Sequence, residues 1–391
     1  MPISRLTLQN LFASLTLPLY LLARPLLWLL RVLRPGRSSS WVLGGHSGRL
    51  YADNAGALHE RLHAQGHDVI WISAEPAITA LLRARGARVL ERNSFRARLA
   101  IENAGVLAYS HSLTDLDHIL GRCLGLRGLK IHLNHCMSHL KAWNPSRYPA
   151  HKPSSARGVP FDYMLASSER ERQNLERSFV GAGEHIVVGG GAHIDLFMRA
   201  RSQQPARQIT YFATYRESAA ARARLEAEIE ALAAHPALGA WLEQHDYNFY
   251  IVGHVNTGRA PRASSSRVHF GSSQDLTTLI VASELLISDY SGLICDYLAL
   301  DRPMVFFAFD KVEYLAQRKL YVDYDEFAFG PQVSSVDELV ALITSGRFRD
   351  DSAYKATRRR WERELFPSLE PSYAERTEFT IRALAARRGG G

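Results

Sequence analysis

The chain has little cysteine. Cys123, Cys136 and Cys295 are its only three in 391 residues; they lie far apart and form no CxxC pair. An odd, scattered set of thiols excludes a disulfide framework and offers no zinc-type spacing, which fits a reducing compartment. Metal-ligand spacing is equally missing among the histidines and carboxylates. Asp323-Tyr324-Asp325 has the outline of a sugar-nucleotide metal triplet but belongs to an aromatic run. No bound metal and no other cofactor is therefore expected, apart from magnesium that a substrate brings with it. There is no internal repeat and no low-complexity tract beyond the terminal RRGGG. The basic stretch KATRRRWERE is broken by Glu362 and Glu364 and reads as a solvated helix face, which points away from nucleic acid as a partner.

Acidic residues are absent before Asp53, although the whole chain carries a formal net charge of +8. The opening segment, residues 1–40, contains LTLQNLFASLTLPLYLLARPLLWLLRVLRPGR, long and apolar enough to span a bilayer. Against a span stand Pro18, Pro25 and Arg24, since a charge at the bilayer centre costs roughly 2.5–3.5 kcal/mol. No small-x-small cleavage site follows, so a signal peptide fits badly. Helical spacing puts Arg24, Arg31 and Arg34 on one face, the pattern of an element lying in the interface and held by anionic lipid. A peripheral, monotopic protein at the cytoplasmic face of a membrane is the expectation; a single span and a buried hairpin remain open alternatives.

After PGRSSS the chain alternates strands with helices. WVLGG, VIWIS, ARVLE, GVLAYS and KIHLNH are short β-rich runs separated by helical stretches such as YADNAGALHERLHAQG and DLDHILGRCLG. A second series follows through QITYFATYR, NFYIVGH, RVHFGS, LLISD and PMVFFAF. Such alternation predicts parallel sheets with helices on both faces. The length exceeds what one core holds, so two domains are expected: 41–205, and 206–391 with a C-terminal helix. The polar stretch ARSQQPARQ marks the boundary. Two doubly wound, Rossmann-like domains facing a cleft is the GT-B architecture, in which ligands bind beyond the carboxyl ends of the strands.

One stretch, LLISDYSGLICDYLALDRPMVFF at 285–307, breaks a buried strand with polar residues and at once starts a helix. Asp289 and Ser291 are N-cap types. A helix N-terminus beyond a strand presents free N–H groups and the positive end of a dipole, where α/β proteins hold phosphates; a plain capped turn is the alternative.

From this block onward the chain resembles the CDP-glycerol glycerophosphotransferase family, the teichoic-acid primases and polymerases. Ser288, Asp289, Tyr290, Ser291, Asp296, Pro303, Asp310, Tyr314, Arg318, Tyr321, Asp323, Tyr324, Gly330 and Pro331 fall in order on the family's pattern. GRLYADNAGALHERL, FDYMLASSE, VGGGAHIDLF and FATYRES are similar to its earlier segments, two of them lacking an expected proline. HLNHCMSHLKAW stands where the family has W-H-G-T-P-L-K, with His135 at the histidine and Lys141 at the lysine. One extra residue separates them, which leaves His139 as a rival to His135.

The resemblance implies transfer of glycerol phosphate, or a related polyol phosphate, from CDP-glycerol or another CDP-polyol to a lipid-linked saccharide or polymer acceptor. This would serve teichoic-acid-like, capsule or other surface-polymer synthesis. It also implies roles. His135 would take the acceptor proton, and His254, ending NFYIVGH, would donate to a diphosphate oxygen. Ser288, Ser291, Gly292 and Arg318 would hold the donor phosphates, with Asp289, Asp296, Lys141, Gly330 and Pro331 in support. A GT-B glycosyltransferase using a nucleotide sugar and a catalytically silent membrane scaffold are the competing readings. The short anchor and single catalytic unit resemble a primase more than a long polymerase.

The anchor reading is testable. Replacing Arg24, Arg31 and Arg34 by Gln is expected to weaken binding to anionic vesicles by about 1 kcal/mol per charge at modest salt and much less at high salt. Resistance of the wild type to alkaline carbonate extraction would instead indicate a span.

Overall fold

The computed structural model describes Pro18, Tyr20–Leu22, Pro25 and residues 39–120, 126–143, 161–253 and 263–388. The chain divides into two compact units, 1–136 with 144–195 and 372–391, and 137–143 with 196–371. Each is an α/β layer structure around its own parallel sheet, the GT-B-like class.

The first unit holds seven strands: β1 (Trp41–Gly44), β2 (Val69–Ser73), β3 (Arg88–Glu91), β4 (Val106–Tyr109), β5 (Leu129–His132), β6 (Tyr163–Ala166) and β7 (Ile186–Val188). Their order is β3-β2-β1-β4-β5-β6-β7, with every pairing parallel. The central strands are short runs buried on both faces, as a sheet covered by helices on two sides demands. Chain order reverses between β1 and β4, so the loops leaving these neighbours part there and open a crevice.

The second unit repeats the plan with six strands: β8 (Ala206–Phe212), β9 (Asn248–Val252), β10 (Val268–Gly271), β11 (Ser283–Ser288), β12 (Met304–Phe307) and β13 (Gln332–Val333). The order is β10-β9-β8-β11-β12-β13, and the reversal lies between β8 and β11. Ser288 of β11 pairs in register with Phe212 of β8. Gly330, just before β13, is required by close approach: a Cβ there would meet the Met304 carbonyl oxygen at 2.1 Å.

Three expectations need correction. The chain passes between units at Asp195 rather than within 200–208, and residues 137–143 belong to the second unit. The C-terminal helix Tyr373–Arg387 belongs to the first unit, because its Ile381 and Leu384 enter the same buried cluster as Trp41 and Leu58. Finally, DLDHILGRCLG forms no α-helix in its described part. Asp115 ends a short 3-10 turn capped by Ser112, and the Asp117 carboxylate accepts from the N–H groups of Ile119 and Leu120 at 2.8 Å each. Side-chain acceptors that capture local N–H groups compete with helix formation in this way. No described helix is long and apolar enough to cross a membrane, and Arg24, Arg31 and Arg34 lie outside the described residues.

The return of the last helix depends on a cap supplied from far away in sequence. Asp195, buried, accepts from the N–H groups of Tyr373 (2.7 Å) and Ala374 (3.0 Å), satisfying two N-terminal donors and opposing the positive end of the helix dipole. Asp195→Ala is expected to destabilise the first unit by about 1–2 kcal/mol in denaturant unfolding. Asp195→Asn should recover part of that loss.

Candidate active site

At the crevice of the first unit, three histidines follow three adjacent strands. His46 lies two residues beyond β1, His111 two beyond β4 and His135 three beyond β5. The rings of His46 and His111 meet edge to face with centroids 4.4 Å apart, and those of His111 and His135 stack at 4.4 Å. A carboxylate flanks each end of the His46–His111 pair. Asp53 hydrogen-bonds the Nε2 of His46. Asp115 accepts from the backbone N–H groups of Ser47 and His111, both at 2.8 Å.

This arrangement holds the backbone in a sparsely populated region. His46, Ser47, Asp53 and Asn134 all have φ between 50° and 63°, a left-handed conformation that side chains other than glycine seldom adopt and that costs of order 1–3 kcal/mol each. What supports it is visible. The Nδ1 of His132 accepts from the Asn134 N–H (3.2 Å), so its Nε2 carries the proton donated to the His111 carbonyl (2.8 Å), and the tautomer follows from the partners. Asn54 donates to the carbonyls of Leu133 and Asn134 and accepts from the His193 N–H at 3.1 Å.

The electrostatics follow from these contacts. Burial opposes a charge on His46, but the hydrogen bond to Asp53 and the charges of Asp53 and Asp115 outweigh it and raise its pKa above the ordinary 6.5. Burial likewise disfavours the Asp53 carboxylate, yet its bond to His46 and the nearby His46, His135 and His193 bring its pKa below the usual range. Asp115 falls to about 2: against burial act the side-chain bond and charge of His111 and the N–H groups of His111 and Ser47. The two carboxylates thus favour the protonated form of His46 over that of a free imidazole.

In the second unit the turn after β11 is braced by a buried ion network. Asp289 accepts from the N–H groups of Thr214 (2.9 Å) and Tyr290 (2.6 Å) and pairs with Arg216 at 2.8 Å. Arg216 also binds Asp310 through two bonds of 2.6 and 2.9 Å and donates to the Thr214 carbonyl. The rings of Tyr290 and Tyr314 stack at 3.8 Å, with the Arg216 guanidinium about 5 Å from each. Tyr324 donates to the Asp289 carbonyl at 2.9 Å.

The residues singled out in sequence are distributed as follows. Ser288 is buried, and its hydroxyl donates to the Phe212 carbonyl at 2.6 Å, so its proton is engaged inside the sheet. Neither Asp289 nor Ser291 is the N-cap of the next helix, Leu293–Tyr297; Gly292 is, while the Ser291 hydroxyl accepts from the Leu293 N–H at 3.2 Å. Asp296 is buried in that short helix. Arg318 lies 3.5 Å from the Glu217 carboxylate. Lys141 bridges antiparallel to Leu320. Pro331 accepts from the Phe306 N–H beside Gly330, at 2.8 Å. His254 lies outside the described residues.

His135 is half-buried in the histidine row, whereas His139 is fully buried in the second unit, its ring 5.0 Å from Trp361 and 5.6 Å from Phe327. His46, Asp53, His111 and Arg216 were not singled out in the sequence as site residues. His46 and His111 follow strand ends and so had a positional signal; it acquires meaning only with the strand order. A second Asp-x-Asp triplet, Asp115-Leu116-Asp117, also went unread; Asp115 serves the histidine loops, while Asp117 pairs with buried Arg98 at 3.0 Å. Among the described residues no group of three His, Cys, Asp or Glu side chains is arranged to hold a metal ion.

Comparison with known proteins adds the following. Residues 28–370 match the family model described as CDP-Glycerol:Poly(glycerophosphate) glycerophosphotransferase. The teichoic acid poly(ribitol-phosphate) polymerase of Bacillus spizizenii strain W23 is 29% identical over 113 residues, 26% of this chain and 18% of that protein. The teichoic acid ribitol-phosphate primase of the same strain is 30% identical over 116 residues, 29% of this chain and 30% of that protein. The chain thus spans less than a third of the length of these curated relatives. A solved structure of the wall teichoic acid polymerase TagF, a point variant soaked with CDPG, superposes with a TM-score of 0.72 at 17% identity, covering 100% of both chains. That likeness is one of fold.

The His46–Asp53 pair predicts a titration. His46 should titrate above 6.5 by NMR in the wild type, and Asp53→Asn, which removes the main opposing charge, should move it downward. The sign for stability follows: a raised histidine pKa contributes below the unfolded value of about 6.5, and the contribution is lost as pH rises through the folded value.

Proposed function

Because the chain belongs to the CDP-glycerol:poly(glycerophosphate) glycerophosphotransferase family, we propose that it transfers glycerol phosphate, or a related polyol phosphate, from a CDP-activated donor to a hydroxyl of a membrane-linked acceptor, releasing CMP. The observation that carries this reading is the row of histidines beyond β1, β4 and β5, at the point where the sheet reverses its order.

In the proposed step the acceptor oxygen bonds to the phosphorus next to the polyol, the bond from that phosphorus to CMP breaks, and the hydroxyl proton passes to His135. Its half-buried ring, stacked on His111, supports this role, because a base must be within reach of the hydroxyl it deprotonates. His46, whose protonated form Asp53 favours, is proposed to add positive potential near the anionic reactants. On the donor side the proposal assigns Ser291, Gly292 and Arg318 to the diphosphate and leaves Ser288 to hold the turn. His254 retains its proposed role at the leaving group. Neutralisation by side chains and backbone donors is proposed to need no protein-bound metal. The setting proposed is the cytoplasmic face of a membrane, where a lipid-linked acceptor is presented.

Nucleotide release should be followed with three donors, as CMP from CDP-glycerol and CDP-ribitol and as UDP from a UDP-sugar; turnover of the UDP-sugar alone would overturn the proposal in favour of glycosyl transfer. With the preferred CDP-polyol, His135→Ala is expected to lower kcat about a hundredfold or more while donor binding changes little. His139→Ala, which removes a ring from a packed aromatic cluster, should lower the melting temperature instead.

A further inference from the structure

The two residues ahead of His135 are held from several sides. The Leu133 N–H continues the sheet by donating to the Tyr109 carbonyl at 2.8 Å. Asn134 then turns the chain out of the sheet with a φ of 63°, a left-handed conformation that asparagine tolerates better than most side chains. Its amide is buried, and the Nδ2 donates to the Leu165 carbonyl of β6 at 3.2 Å. The Oδ1 of the same amide is buried with no hydrogen-bond partner among the described residues. A left-handed residue with an orphaned acceptor is a local cost, and such costs collect where backbone is held in place for function.

Asn54 closes the turn from another element. It is the second residue of the helix Asp53–Ala64, only 2% exposed, and it uses both ends of its amide. The Nδ2 donates to the carbonyls of Leu133 (3.0 Å) and Asn134 (3.1 Å). These two acceptors fix the orientation of the amide, so its Oδ1 faces the loop after β7, where it accepts from the N–H (3.1 Å) and the Nδ1 (2.6 Å) of His193. The carbonyl of Asn134 and the nitrogen of His135 belong to one planar peptide group. A bond to that oxygen therefore sets the direction in which His135 leaves the turn, and with it the ring that stacks on His111.

We propose that Asn54 and Asn134 are positioning residues for proton transfer: Asn54 grips the two carbonyls ahead of His135, Asn134 braces the turn on β6, and together they hold the imidazole where an acceptor hydroxyl meets it. The inference rests on the reading of His135 as the base and adds what keeps that base in place. Neither amide acts on the reacting atoms; both act through the peptide that carries the ring. A displacement of about 1 Å at a reacting group costs on the order of a hundredfold in rate. Loss of the clamp should therefore appear in kcat and not in donor binding.

Two variants of the full chain test this. In Asn54→Ala the nuclear Overhauser contact between the His111 and His135 rings should be lost, while that between His46 and His111 is kept. Asn134→Gly accepts the left-handed turn without steric cost and keeps the carbonyl that Asn54 grips, but removes the brace on Leu165; its melting temperature should stay near that of the wild type, and the His111–His135 contact should weaken. With the preferred CDP-polyol, CMP release should show kcat lowered at least about tenfold in both variants, and calorimetric binding of CMP should stay within about twofold of the wild type. An unchanged His111–His135 contact, or an unchanged kcat in the folded Asn134→Gly protein, would overturn the clamp and leave the CDP-polyol reading standing. A wild type that turns over no CDP-polyol would overturn both.

Discussion

Both units are governed by one constraint, the reversal of chain order in a wholly parallel sheet. Strands laid down to either side of a starting strand send their following loops in opposite directions, and a gap opens beyond the carboxyl ends of the two central neighbours. Polar groups at such a gap must be satisfied or left to meet a ligand. The two units answer differently. Beyond β8 and β11 the space is filled from within by Arg216, Asp289 and Asp310. Beyond β1 and β4 it is lined by His46 and His111, with His135 following from β5.

The filled gap is a costly solution made tolerable by completeness. Removing an arginine and two carboxylates from water carries a desolvation penalty that Coulomb attraction repays only when geometry and remaining hydrogen bonds are good. Here Arg216 has four donor contacts to Asp289, Asp310 and the Thr214 carbonyl, and Asp289 accepts two backbone N–H groups besides. The stacked Tyr290 and Tyr314 flank the guanidinium. The consequence is positional: the turn carrying Ser291 and Gly292 is locked to the loop after β8.

Much of this was legible in the sequence because it is local. Strand runs such as VIWIS and PMVFFAF and the alternation that makes a parallel sheet each depend on a few neighbouring residues. What escaped depends on distant partners. The C-terminal helix returns to the first unit through Asp195, Ile381 and Leu384, and none of these marks its destination in the sequence. His46 and Asp53 are seven residues apart and meet because both adopt positive φ, a choice that local propensity disfavours. His111 was one histidine of sixteen until strand order set β4 between β1 and β5.

The pair left undecided by the motif, His135 and His139, is separated by where the chain changes units. Cys136 closes one stretch of the first unit and Met137 begins the second. Four residues therefore carry the chain from a half-buried imidazole in a row of polar rings to one enclosed by Phe327 and Trp361. A general base has to exchange a proton with a hydroxyl that comes from outside, and its usefulness depends on a charge state the surroundings tolerate. His139, fully buried between aromatic rings, offers such a hydroxyl no approach. His135 stays partly exposed, at the end of a row whose other rings Asp53 and Asp115 flank. The proposed assignment of proton transfer to His135 rather than His139 therefore follows the exposure of the two rings, which the chain sets by changing units between them.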